Sequence, residues 1–172
     1  MQVLVVYESM YGNTRHVAEA IARGMEERAS VTLVTATDAR EQDVSAYDLV
    51  VVGGPTHVHG MSRPSTRHSA VEAATQPGSD LELEPDAESD GVREFLAHLR
   101  PTTGVAAAFD TRLDASPVLT GRASKTIGKK LRKLGLTLIA EPESFLVDKQ
   151  TVLEPREAER ASQWGRALVG GQ

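Results

Sequence analysis

Apolar and polar positions along this chain follow two periods in turn, and they predict strands and helices that alternate. A β-branched apolar run at Leu4–Val6 predicts a strand. A short polar loop follows, and then Val17, Ile21 and Met25 recur four residues apart, which predicts one apolar face of a helix over about 13–28. The chain therefore begins with a strand, a tight turn and a helix N-terminus.

The same two patterns recur along the rest of the chain. Further strands are predicted at Val31–Thr35, Tyr47–Gly54, Gly104–Phe109 and Leu136–Ala140, the last with a resumption at Ser144–Val147. Helical spacing marks Ser65–Ala74, Gly91–Arg100, the segment of Ile127, Leu131 and Leu134, and the segment of Ala161, Trp164 and Leu168. Strands that alternate with helices indicate a parallel sheet with right-handed crossovers, so we predict a doubly wound α/β fold.

Three loops of polar or unusual composition follow strand ends in this plan. They are Ser9–Thr14, Pro55–Gly60 and Phe109–Arg112. Ligands of open parallel sheets bind beyond the carboxyl ends of the strands, where the strand order reverses. The three loops follow the first, third and fourth strands, which are neighbours if the order is 2-1-3-4-5. Their convergence at one edge favours a ligand site over three unrelated loops.

The first loop allows two interpretations by itself. Free N–H groups and the positive end of the helix dipole suit an anionic group, and Ser9, Asn13 and Thr14 add side-chain donors. The same residue types also favour helix caps, so a plain cap is the alternative. The loop has no Lys and only Gly12, which excludes both G-x-x-x-x-G-K-[ST] and G-x-G-x-x-G phosphate loops.

Composition narrows the class of protein further. A length of 172 residues makes one domain the default. The absence of cysteine excludes disulfides, thiolate metal sites and a cysteine nucleophile. A net charge of −5 disfavours nucleic acid as the main partner. No apolar run approaches the ~18 residues of a membrane span, and the N-terminus has no basic-then-apolar leader. We therefore expect a cytoplasmic protein without a membrane span.

Three segments together resemble the flavodoxin family. Tyr7–Thr14 is similar to its phosphate loop, Gly53–Thr56 with the following polar residues is similar to its second flavin-contacting loop, and Phe109–Arg112 occupies the place of the third. The resemblance covers the whole chain. It implies one flavodoxin-like domain over 1–172, built as a three-layer sandwich on a five-stranded parallel sheet of order 2-1-3-4-5. It also implies bound FMN and electron transfer.

The resemblance implies which residues contact FMN. The phosphate would be wrapped by Ser9, Met10, Tyr11, Gly12, Asn13 and Thr14. One side of the isoalloxazine ring and its N5 edge would be passed by Pro55, Thr56, His57, Val58, His59 and Gly60. The pyrimidine side would be lined by Phe109, Asp110, Thr111 and Arg112. In relatives a peptide of the second loop turns its carbonyl toward N5. We expect that peptide within His57–Gly60; such peptides often involve glycine, which accepts positive φ cheaply.

Some features depart from the family and leave the function open. Aromatic residues form only 4% of the chain, so ring stacking is scarce, and Arg112 near the pyrimidine edge would favour an anionic reduced flavin. The leading hypothesis is an FMN-binding electron-transfer protein with a redox partner protein. The alternatives are an NAD(P)H-dependent quinone reductase on the same fold and a non-catalytic interaction module. No residue is assigned a catalytic or metal-binding role.

Other polar groups have competing interpretations. His57 and His59 are spaced to share a metal ion, but no third ligand is marked by spacing, and a flavin-loop role or simple exposure is the alternative. The acidic segment Asp80–Asp90 is a solvated loop or a docking surface for a basic redox partner. The basic stripe of Lys125–Lys133 is a solvated helix face or a binding site for a phosphate of NADPH. Ser9 lacks the G-x-S-x-G context of a hydrolase nucleophile.

Overall fold

The computed structural model of the protein describes residues 1–171. Its strands are β1 Gln2–Tyr7, β2 Ser30–Thr35, β3 Leu49–His57, β4 Gly60–Met61, β5 Val105–Leu113, β6 Thr137–Leu138 and β7 Glu143–Val147. Its helices are α1 Asn13–Met25, α2 Pro64–Ala74, α3 Val92–His98, α4 Pro117–Thr120, α5 Ala123–Lys133 and α6 Glu157–Gly170. Two short 3-10 turns at Asp38–Glu41 and Val44–Ala46 connect β2 to β3.

The predicted parallel sheet is confirmed, with its fifth position split in two. The order is β2-β1-β3-β5-β6, and β7 pairs with β5 beyond β6. Thr137 and Leu138 pair with the start of β5, whereas Glu143–Val147 pair with its second half. Pro142 lies in the break between them, and proline cannot donate a ladder hydrogen bond. Counted by position, the order is the predicted 2-1-3-4-5.

Two strands run further than the sequence pattern predicts. β3 continues to His57 and forms a hairpin with β4, and β5 continues to Leu113. The two strands stay paired in register as far as Pro55↔Thr111. The predicted ends at Gly54 and Phe109 are therefore wrong by three and four residues. Pairing between β3 and β5 overrides the Gly-Gly-Pro stop signal, and β4 and β7 pair with the last two residues of β3 and β5, respectively.

Helices cover both faces of the sheet and enclose two cores. One core joins Leu4, Val6 and Val52 to apolar residues of α3 and α5. The other core joins Val3 and Val5 to apolar residues of α1 and α6. Alternate residues of β1 therefore enter opposite cores, as expected for a strand that is buried on both faces. This confirms the three-layer arrangement.

The helices α1 and α6 pack closely at two glycines. A Cβ atom on Gly24 would lie 2.0 Å from the backbone oxygen of Ser162, and one on Gly165 would lie 2.2 Å from that of Ile21. Any larger side chain would have to separate the helices. The N-terminal turn of α1 belongs to the first polar loop, so this contact also holds that loop against the sheet.

No helix among residues 1–171 is both long enough and apolar enough to cross a membrane.

The close helix contact predicts that Gly165→Ala destabilises the protein. Separating α1 from α6 costs about 1–3 kcal/mol, which exceeds the ~1 kcal/mol that alanine gains over glycine in helix propensity. Thermal unfolding should show a lower midpoint for this variant. Gly171→Ala is the matched control, because a Cβ there meets nothing within 4 Å. An unchanged midpoint for Gly165→Ala would contradict this account of the interface.

Candidate functional site

Four loops at the carboxyl edge of the sheet surround one pocket of about 220 Å³. Three of them contain the loops predicted from sequence, and the fourth follows β7. The lining residues are Ser9, Met10, Tyr11, Asn13, Thr14, Pro55, Thr56, His57, Thr111, Arg112, Leu113, Val147, Asp148, Lys149 and Thr151. The structure thus brings ten of the sixteen predicted residues into one lining, and Gly12, Val58, His59, Gly60, Phe109 and Asp110 lie outside it.

The first loop leaves the N-terminus of α1 without a side-chain cap. The N-cap residue is Gly12, which has φ +86 and therefore the left-handed conformation that glycine tolerates. The N–H of Gly12 donates to Ser9 Oγ at 3.1 Å. Ser9 accepts this bond, so its hydroxyl proton is available to another group. The alternative of a plain serine or threonine cap is therefore not what the loop shows.

Two other polar side chains of this loop are used to brace it. Asn13 Nδ2 donates to the carbonyl oxygen of Thr151 at 2.7 Å. The hydroxyls of Thr14 and Thr111 lie 2.7 Å apart, and Thr14 is buried. The loop is thus tied to β5 and to the loop after β7. The donors that this loop can still offer to a ligand are the Ser9 hydroxyl and the N–H groups of the first turn of α1.

The acidic segment braces the same loop from outside. The N–H of Glu84 donates to the carbonyl oxygen of Met10 at 2.9 Å, and its carboxylate accepts from Arg15 Nε at 3.1 Å. Tyr11 adds a hydrogen bond from its hydroxyl to the carbonyl oxygen of Ala70 in α2, at 2.7 Å. At these points the segment from α2 to α3 supports the pocket wall. Glu84 is therefore a bracing residue, and it is neither part of a solvated loop nor part of a docking surface.

The second loop is a tight hairpin and not an open loop. His57 faces the pocket at the end of β3, and burial and the positive charge of Arg67 lower its pKa. Val58 and His59 form the exposed tip, and both have positive φ, at +42 and +70. Gly60 is not among the residues with positive φ. Within His57–Gly60 the positive φ angles therefore belong to Val58 and His59 and not to the glycine. The peptide that turns toward N5 within this stretch stays a prediction.

The third predicted segment is mostly strand, and two of its residues lie beneath the site. Phe109 is fully buried and packs edge-on against Phe145 and Trp164, with ring centroids 6.3 and 6.4 Å away. Asp110 is also fully buried, and its Oδ2 accepts from the N–H of Ser124 at 2.7 Å. Neither side chain reaches the pocket, in contrast to the prediction that both line it.

Thr111 and Arg112 do line the pocket, but Arg112 also has a structural task. Its Nη1 donates to the carbonyl oxygens of Leu113 at 3.1 Å and Ala115 at 2.8 Å. These bonds hold the turn between β5 and α4. The guanidinium charge thus stays near the pocket because the backbone of the turn fixes it there.

The fourth loop, 148–151, was missed by the sequence analysis. It follows the carboxyl end of β7 and contributes Asp148, Lys149 and Thr151 to the lining. The carboxylate of Asp148 accepts from the N–H groups of Gln150 at 2.9 Å and Val152 at 2.8 Å, so it closes the turn. The signal was available, because a polar loop that follows a resumed fifth strand falls on the same sheet edge.

Tyr11 is the one aromatic residue among the lining residues, and its hydroxyl is bonded to α2. The lining also includes His57 and the cations Arg112 and Lys149. Across residues 1–171, no group of three or more His, Asp or Glu side chains is placed to hold a metal ion.

The comparisons identify the family. The flavodoxin family model matches residues 5–99, more than half of the chain, and the chain belongs to the flavodoxin family. A search of curated proteins found no match.

Solved structures share the fold. Oxidised flavodoxin 1 from Bacillus cereus is 22% identical, with a TM-score of 0.67 over 100% of this chain and 99% of that chain. A flavodoxin from the domain Archaea is 19% identical, with a TM-score of 0.64 over 99% and 97%. A WrbA-like flavodoxin from Agrobacterium tumefaciens is 17% identical, with a TM-score of 0.57 over 98% and 95%. At these identities the likeness shows the fold.

The buried carboxyl of Asp110 predicts a pH dependence of stability. Burial raises its pKa, outweighing the hydrogen bonds that lower it. A carboxyl with a raised pKa in the folded state stabilises the fold fully below its unfolded pKa of about 3.9, and this contribution is lost as pH rises through the folded pKa. As pH rises from 4 to 7, the free energy of unfolding of Asp110→Asn should therefore increase relative to that of the wild type. Urea unfolding across that range measures it, and a constant difference would contradict the assignment.

Proposed function

We propose that this chain is a single FMN-binding domain over residues 1–172 that transfers electrons. The observation that carries the proposal is the uncapped N-terminus of α1 at one end of a pocket that four loops build at the carboxyl edge of the sheet. Membership of the flavodoxin family supports the choice of FMN. When bound, the flavin supplies the redox chemistry, and the protein sets its position and potential.

The first loop fits a phosphate group. Gly12 at positive φ, the N–H groups of the first helical turn and the Ser9 hydroxyl offer neutral donors at the positive end of a 13-residue helix. Asn13 and Thr14 act on their neighbours, and so they hold the cradle in shape. The Arg15–Glu84 pair compensates the carboxylate of Glu84 beside Gly12, which limits its repulsion of a phosphate.

The other end of the pocket fits a flat ring with little stacking. Pro55, Thr56 and His57 would lie along one side, and Thr111, Arg112 and Leu113 along another. The hydroxyl of Thr56 accepts from the N–H of Ala123 at 2.9 Å, which fixes this wall to α5. Arg112 and Lys149 place positive charge at the pocket, and positive charge favours added electrons.

A second candidate function is NAD(P)H-dependent reduction of a quinone on the same fold. The specific observation in its favour is a ring end with two cations and without an aromatic wall. Cations at such a site would stabilise a reduced flavin that carries a negative charge. A stable anionic reduced flavin suits the transfer of two electrons together. For either function we place the protein in the cytoplasm, with a redox protein or a quinone as its electron partner.

FMN binding with a phosphate cradle predicts a specific effect of Ser9→Ala. A hydrogen bond to a charged group contributes about 1.5–3 kcal/mol, so the variant should bind FMN roughly 10- to 100-fold more weakly. Riboflavin has no phosphate, and its affinity should be weak and nearly unchanged. Quenching of flavin fluorescence measures both ligands on wild-type and variant protein.

Ser69→Ala is the matched control, because Ser69 is exposed on α2 and bonds its own helix. Equal losses for FMN and riboflavin would show that Ser9 supports the loop and does not contact the phosphate. No quenching with the wild type would overturn the proposal. A specific protein retained in pull-downs would then favour an interaction module.

The cation at the ring end predicts a shift of potential in Lys149→Gln. Loss of a positive charge disfavours added electrons, so the two-electron midpoint potential should become more negative by about 10–20 mV. This shift corresponds to a free-energy change of at most ~1 kcal/mol. Lys133→Gln is the control, because Lys133 is exposed at the far end of α5. The difference should shrink as salt is added. An equal shift in both variants would point to net charge and not to the site.

A further inference from the structure

The hairpin beside the pocket has an unusual turn. Val58 and His59 are the two loop residues between β3 and β4, whose last pair is His57↔Gly60. Both have positive φ, which is the requirement of a type I′ turn. Asn and Gly normally occupy such turns, and a β-branched residue at positive φ is a genuine outlier. Contacts from elsewhere in the fold must therefore hold this turn.

Gly121 supplies that contact. It ends α4 with φ +73 and ψ −175, a conformation that is essentially restricted to glycine. Its backbone forms an isolated parallel bridge with His59. A Cβ at this position would lie 2.3 Å from both the Cα and the carbonyl oxygen of His59. The turn and the end of α4 thus touch backbone to backbone, and only glycine permits the approach.

The turn has one simple way to rearrange. If the peptide between its two residues rotates by half a turn, a type I′ turn becomes type II′, in which φ stays positive at the first residue and becomes negative at the second. The first position of a type II′ turn normally requires glycine. Here it is Val58, and the backbone that would have to move at His59 is the part in contact with Gly121. Both features oppose the rotation.

We propose that Gly121 is a positioning residue that locks the Val58–His59 turn, so that the peptide between them keeps one orientation in the free, oxidised and reduced protein. The part that concerns oxidation state rests on the proposed function, since His57 connects the turn to the pocket. A locked peptide offers the same backbone groups to a bound flavin in every oxidation state. Such a peptide cannot stabilise one oxidation state of the flavin by reversing its orientation.

The test is the sign of φ at His59 in solution. The amide proton and the Hα of a residue approach most closely at positive φ, so a strong intraresidue NOE reports it. We expect this NOE to be strong in the free wild type, with FMN, and after full reduction. Val58→Gly removes the opposition at the first turn position but keeps the Gly121 contact, whereas Gly121→Ala removes that contact. We expect the strong His59 NOE to persist in Val58→Gly, free and reduced, and to be lost in free Gly121→Ala; its loss in Val58→Gly would overturn the proposal.

Leu119→Ala is the control, because this exposed side chain of α4 does not form the backbone contact. It should keep the strong NOE. A weak His59 NOE in the reduced wild type, or an unchanged one in Gly121→Ala, would overturn the proposal. If Gly121→Ala does not fold, Val58→Gly decides the matter. If FMN does not bind, the proposed function fails, and the free wild type and Gly121→Ala still test the lock.

Discussion

The register between β3 and β5 is the constraint on which the rest of the structure depends. Gly53 pairs with Phe109, and a Cβ on Gly53 would lie 2.2 Å from the Phe109 ring. The missing side chain lets that ring lie over the strand and meet Phe145 and Trp164. Because this pair is fixed, Pro55↔Thr111 follows in the same ladder. The two strand ends that border the pocket are therefore set by a buried aromatic contact below it.

The phosphate end of the pocket depends on this ladder as well. Thr111 stands two residues beyond Phe109 on the same face of β5, and its hydroxyl meets that of Thr14 in α1. Asn13 then joins the loop to Thr151 beyond β7. Each of the bonds is short and partly or fully buried, so water competes little for it. The loop keeps its shape because the side chains of Asn13 and Thr14 bind other parts of the protein.

The sequence allowed the alternation of elements, the strand order and the position of the first loop to be predicted. The alternation and the first loop arise from local periodicity and a short motif, which one chain segment carries by itself. The strand order was implied by the resemblance to the flavodoxin family. The extension of β3 could not be found in this way, because Pro55 pairs with Thr111 of a strand some fifty residues away, and Thr56 and His57 pair with β4 across a turn of Val58 and His59 that lacks the usual Asn and Gly. The placement of Glu84 was equally hidden, since an acidic stretch looks the same whether it is solvated or bound to Arg15. Loop 148–151 could have been predicted, because the resumed strand Ser144–Val147 leads directly to it.

The ring end differs from the phosphate end in how it can act on a ligand. Aromatic stacking is scarce there, because Phe109, Phe145 and Trp164 are committed to the core. The walls that remain are held by backbone contacts, through Arg112 on one side and Gly121 on the other. A wall that neither stacks strongly on a ring nor rearranges can influence the potential of that ring only through its charge and its shape. If the proposed flavin binds here and the proposed lock on the Val58–His59 turn holds, its redox behaviour is set by fixed cations and hydrogen bonds, and not by motion of the second loop.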